Sequence, residues 1–286
     1  MLSTNRRERR IAARKLRRSL AEISPLNSHP QMQSPLFSVL PPEIRNQIFE
    51  LAVSEYEDTT RPYDPTDDYY RPGHCFPKVI NTDLLLTCRR VYYETNAIPM
   101  RSATHHIWLG WTTMFRDPHR TPLRFPSLTR KHQTELNHVH VFAYPNLPDL
   151  SALISRQQFR PKHLTITVGW NYDWSSPNDE DFPMSLDADW VLANNTKLPD
   201  ELEDVKIEFE ALMRRKDELD RLVKIAMLWR FEMRDGTEMV ADKSTSVRRW
   251  TRYCKWRGPV SPPWYDYHMV TVVWRRPISS STKDED

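Results

Sequence analysis

From His105 onward the hydrophobic pattern switches repeatedly between a period of two and a period near 3.6, and this switching limits the fold more than any other feature of the chain. His138–Tyr144 alternates Val139 and Val141 against His138, His140 and Phe142. His163–Gly169 alternates Leu164, Ile166 and Val168 against Thr165 and Thr167. Asp204–Glu210 alternates Val205, Ile207 and Phe209 against Lys206, Glu208 and Glu210. His105–Trp111 is an apolar-aromatic run, and Tyr267–Trp274 is apolar on both faces, as a central strand would be. Helical stretches intervene at Pro148–Arg156 and Leu212–Trp229, the second with Leu219, Leu222, Val223 and Ala226 on one face. Trp229–Met239 reads as a strand, a turn at Asp235-Gly236 and a returning strand. The expected class is α/β, with α+β as the alternative. LRR-like strand–helix units are the finer expectation, although their irregular spacing defines no solenoid.

Glycine decides what the chain does not do. Only 5 of 286 residues are glycine, and none lies within a loop's length of another. Phosphate-cradling loops need clustered glycines so that backbone N–H groups can approach the anion. A Walker-type loop, a GxGxxG dinucleotide site and a GxSxG nucleophile elbow are therefore all missing. The three cysteines, Cys75, Cys88 and Cys254, are scattered and odd in number, which argues for reduced thiols rather than a disulfide framework or a CxxC zinc site. No apolar run reaches the roughly 18 residues of a membrane span, and no apolar signal core opens the chain. The expectation is a non-enzymatic interaction protein of the nucleus or cytoplasm, with no catalytic residue, no cofactor and no metal. The alternatives are a nucleic-acid-binding protein using the basic tail and Lys243–Arg257, and an enzyme whose groups come from distant parts of the chain with no recognisable motif.

Charge is uneven. Residues 1–20 carry eight Lys and Arg against Glu8, a net +7, so the formal +3 of the whole leaves −4 for the rest. The arm fits a nuclear-import signal, a nucleic-acid contact, an Arg-rich mitochondrial presequence or a solvated, disordered tail. Residues 1–34 are read as that tail, with a helix carrying Ile11, Leu16 and Leu20 as its apolar points as the alternative local structure. Residues 35–100 form a helical module interrupted by an irregular loop at 56–77, 101–275 an α/β region, and 276–286 a second tail.

The module rests on two segments. In Leu40–Ala52, LPPEIRNQIFELA, Pro41 and Pro42 stand where a helix can start and Glu43 complements its N-terminal dipole. Ile44, Ile48, Leu51 and Ala52 then form one stripe, with Arg45, Asn46 and Gln47 pointing elsewhere. In Asp83–Thr95, DLLLTCRRVYYET, Leu84, Cys88, Val91 and Thr95 fit helical spacing and Arg89, Arg90 and Glu94 mark the wet side. The apolar stripe of the first helix is expected to pack on Leu85, Cys88 and Tyr92 of the second.

Together these residues resemble the F-box, in particular a group of filamentous-fungal F-box-like proteins of uncharacterised function that carry LPPEIRNxIYELxL followed by LLxxCRxxxxEA. The resemblance spans roughly Pro35–Asn96. It implies that Leu40, Pro41, Ile44, Ile48 and Leu51 dock a Skp-family adaptor of a cullin-type ubiquitin ligase while the C-terminal region holds a protein target. The loop between the two segments is longer and more acidic than a compact F-box contains.

Three other constellations stand out. Lys243–Arg257 has six basic residues and no acid, with Trp250, Tyr253 and Trp256 recurring every three residues among Arg249, Arg252 and Lys255. Such interleaving suits single-stranded nucleic acid, an acidic peptide, or a core face with snorkelling cations. Asp187-Ala188-Asp189 lies in an acidic, aromatic stretch, Trp170–Pro199, that suits recognition better than catalysis. His105, His106, His138 and His140 offer imidazoles to a metal, but no nearby ligand spacing completes a site.

Overall fold

A computed structural model of the chain describes residues 2–65, 70, 71, 73–109, 125, 128–143, 149–169, 184, 197–253 and 264–277. It divides into two compact units, Met1–Tyr56 with Ile80–Ser102, and Glu57–Val79 with Ala103–Asp286. No helix among the described residues is long and apolar enough to cross a membrane.

In the first unit the basic arm takes the helical alternative rather than that of a disordered tail: α1 runs Leu2–Ala21. It contains neither glycine nor proline and is rich in Arg, Ala and Leu, all strong helix formers. Ile11 and Leu16 stay exposed, so propensity rather than packing supports it. Three short helices, α2 (Pro35–Ser38), α4 (Arg89–Thr95) and α5 (Ile98–Ser102), gather with α3 (Pro42–Ala52). Phe37, Phe49, Val53, Val91 and Ile98 form their core, with Leu36, Ile80, Leu84 and Cys88 packed against it. The single helix expected over Asp83–Thr95 is broken. Asp83–Leu86 is a 3-10 turn, and Cys88 is extended at φ −159 and ψ 164, its Sγ accepting from the Val91 N–H as the cap of α4. That cap satisfies an amide no helical carbonyl can reach.

Two short strands, β1 (Glu55–Glu57) and β2 (Lys78–Ile80), pair where the chain leaves the first unit and returns to it. The second unit is built on a mixed eight-stranded sheet, so the α/β class holds. Its elements are β3 (Thr104–Trp108), α6 (Arg130–Thr134), β4 (His138–Ala143), α7 (Asp149–Ile154), β5 (His163–Gly169), β6 (Asp204–Leu212), α8 (Lys216–Ala226), β7 (Arg230–Glu232), β8 (Glu238–Ala241), β9 (Ser246–Tyr253) and β10 (Trp264–Arg275). β3 to β6 lie side by side in parallel, as in a strand–helix repeat, but their first residues are spaced 34, 25 and 41 apart. Beyond β6 the sheet continues antiparallel through β10, with β9 on β10 and the β7–β8 hairpin past it. Gly236 turns that hairpin at φ +84, a conformation that favours glycine.

The two faces of the sheet differ. Leu164, Ile166, Val205, Ile207, Phe209, Val270, Val272 and Trp274 are buried on one face. There α8 packs on β6 and β10 and inserts Leu219, Leu222, Val223 and Ala226. The other face carries His106, His140, Thr165, Thr167, Lys206, Glu208 and Glu210, which the register aligns across β3 to β6. This face is covered too. The segment Glu57–Val79, expected as a loop inserted in the first module, belongs to the second unit and sends Arg71 and His74 onto the polar face. His140 and Phe142 are consequently buried rather than wet.

Candidate functional sites

The stripe of α3 does not face the core. Ile44, Ile48 and Leu51 are 42%, 41% and 78% exposed, Pro41 is exposed and Leu40 half-buried. Their expected packing on Leu85, Cys88 and Tyr92 is replaced by burial of the opposite face, through Arg45, Phe49 and Val53. Arg45, expected in water, is inside because its guanidinium has three partners there. Nη1 donates to the Leu40 carbonyl at 2.7 Å, Nε donates to Glu94 at 3.3 Å, and the group lies over the Phe37 ring. Glu94 also accepts from Arg90 Nε at 3.1 Å, so this carboxylate, placed on the wet side by the sequence, anchors two cations instead. A buried guanidinium is tolerated only with such partners. One large aromatic, Phe49, and one satisfied arginine thus hold α3 down, which leaves the stripe unused by the fold.

The basic-aromatic segment is β9, and a strand alternates every two residues, not every three. Trp250 is therefore buried, stacked on Tyr267 at 4.5 Å between centroids, while Arg249 is exposed and Arg252 and Tyr253 are half-buried. A base cannot stack on a tryptophan already covered. Lys255, Trp256 and Cys254 lie outside the described residues, as do Asp187, Asp189 and nearly all of the acidic stretch around them.

The sequence-level histidines divide. His105 is buried on the opposite face of β3, and His138 stacks on His163 at 4.6 Å. His106 and His140, register partners on β3 and β4, instead meet His74, which comes from the turn Arg71–His74. That turn is closed by the His74 N–H on the Arg71 carbonyl at 2.8 Å with Gly73 at φ +80. Arg71 anchors it, its guanidinium 3.6 Å from the buried Glu210 carboxylate and 5.1 Å from the centre of the Phe142 ring. The three imidazoles border a cavity of about 220 Å³ that Arg71, Lys206 and Glu208 also line.

Electrostatics in this cavity are set by burial and its cations. Burial first, then the neighbouring His74, Arg71 and Lys206, hold His140 well below the ordinary imidazole range, so its ring is neutral. Burial alone would raise Glu208, but Lys206 beside it and hydrogen bonds from Lys206 and Thr167 outweigh that and lower it. The sequence offered no signal for His74. The pairing of His106 with His140 was implicit once β3 and β4 were taken as parallel neighbours, but the third ring comes from a segment without periodicity.

Comparison of the chain with protein-family models, with curated proteins and with solved structures finds no match.

Proposed function

We propose that the first unit is an F-box-like docking module that binds a Skp-family adaptor of a cullin-type ubiquitin ligase through Leu40, Pro41, Ile44, Ile48 and Leu51, and that the second unit presents a protein target. The observation that carries the reading is the exposure of Ile44, Ile48 and Leu51 on a helix whose opposite face supplies the core. A structural stripe would be buried. This one is free to be buried by a partner: full burial of an exposed side chain of this size is worth about 1.5–3 kcal/mol, so Leu51 at 78% exposure gains most of it and Ile44 and Ile48, at 42% and 41%, less than half.

The test is capture of purified adaptor by the full chain. Wild type is expected to bind, and an Ile44→Asp/Ile48→Asp double variant to lose binding with an unchanged circular dichroism spectrum and melting temperature. Absence of binding by folded wild type, or equal binding by both chains, refutes the reading.

A further inference from the structure

We infer that His74, His106 and His140 form a binding site for a divalent transition-metal ion of the zinc class, with one coordination position left open toward the cavity. The inference concerns the second unit and is independent of the docking reading.

The geometry of the rings carries it. Their centroids form a nearly equilateral triangle, with sides of 5.0 Å (His74–His106), 5.6 Å (His74–His140) and 5.4 Å (His106–His140). Three imidazoles on one tetrahedral zinc, with Zn–N near 2.0–2.1 Å, have centroids about 5.2 Å apart. The rings are inclined at 60°, 55° and 81°, so they surround a point rather than stack. One nitrogen from each lies within 4.8 Å of the other two. Closing these nitrogens to the roughly 3.3 Å of a tetrahedral set requires ring rotation with the centroids nearly in place. His74 is half-buried and stands on a turn, whereas His106 and His140 stand on strands.

Hydrogen bonding prepares the most buried of the three. His140 Nε2 is 2.7 Å from Thr167 Oγ1, and the Thr167 hydroxyl donates to Glu208 at 2.8 Å. A hydroxyl has one proton, and the carboxylate takes it, so Thr167 must accept from His140 Nε2–H. This fixes the tautomer with Nδ1 as the bare nitrogen. A ligating histidine commonly has its other N–H tied to a hydrogen-bond acceptor in this way. The charges of the cavity then define the fourth ligand. Among the described residues, Arg71, Lys78, Lys206 and Arg248 border it against Glu208 and Glu210. A dication held by three neutral rings adds to that positive excess. The open position therefore takes an anion, a carboxylate or phosphate oxygen or hydroxide, and three histidines with an open position are the ligand set of a catalytic rather than a structural zinc site.

The experiment uses the full chain, stripped with chelator and titrated with Zn²⁺ by calorimetry and with Co²⁺ by visible absorption. One equivalent is expected to bind, with the intense bands of low-symmetry cobalt, and added inorganic phosphate should shift them. His74→Ala, on the turn, and His106→Ala should each weaken binding by at least about 100-fold, more than the 10–100-fold typical of losing an outer partner. His138→Ala, outside the triangle, should bind as wild type. His140→Ala serves as a further variant if its circular dichroism shows it folded. No binding by the stripped wild type, or wild-type affinity in folded His74→Ala, overturns the site. Phosphate binding that needs no metal, or cobalt bands indifferent to phosphate, overturns the open, anion-taking position.

Discussion

In the first unit, Ile44, Ile48 and Leu51 stand in solvent while Arg45 is buried; in the second, Val139, Leu164 and Ile207 are buried as their pattern expects, yet His140, Glu208 and Glu210 on the opposite face are buried as well. The small unit has too little mass to cover every apolar side chain, and its core closes around Phe37, Phe49 and Val53. The large unit has a sheet wide enough for both faces to be covered, one by α8 and one by the segment that carries Arg71 and His74. Apolar surface left outside suits a docking face. Polar groups gathered inside, where each imidazole and carboxylate is held by a neighbour, suit a ligand site.

The sharpest way to break this contrast is within α3. Phe49→Ala should destabilise the first unit by about 3–5 kcal/mol, as loss of a fully buried aromatic does, whereas Ile48→Ser next to it should stay within about 0.5 kcal/mol. Denaturant melts of the two variants check this, and comparable losses would mean that the exposed stripe is structural after all. A smaller effect, about 3 kcal/mol, is expected for Arg71→Met, because the buried Glu210 carboxylate loses its guanidinium, and removing one partner of a buried pair costs about that much. Chemical denaturation that reports the sheet tests it, and a neutral result would detach the Arg71 segment from the polar face. Smallest is Arg45→Met, about 1–2 kcal/mol, since Glu94 keeps Arg90 while the bonds to Glu94 and the Leu40 carbonyl and the charge over the Phe37 ring are lost. A loss as large as that of Arg71→Met would show that the two buried arginines are equivalent.

Much of the sheet was legible in the chain. β5 has the bounds that its alternation indicates, β6 and β10 extend theirs by a few residues, the Asp235-Gly236 hairpin is present, and the buried face of α8 is the one its spacing marks. Local periodicity reports which residues share a face, and backbone geometry enforces it. The same periodicity misjudged α3, because an apolar stripe states only what could be buried, and Phe49 with a satisfied Arg45 competed successfully for the core. It also misjudged β9, because aromatics spaced every three residues cannot share one face of a strand that alternates every two.

The amino-acid sequence by itself determined the alternation of β4, β5, β6 and β10 and the inward face of α8, the missing glycine loops and the position of the stripe on α3, since these depend on neighbours a few residues apart. The tertiary structure alone decided which face of α3 turns inward, and that His74, from a segment without periodicity, completes a triangle with His106 and His140. Those outcomes depend on contacts between distant residues, where burial and charge pairing outweigh local pattern.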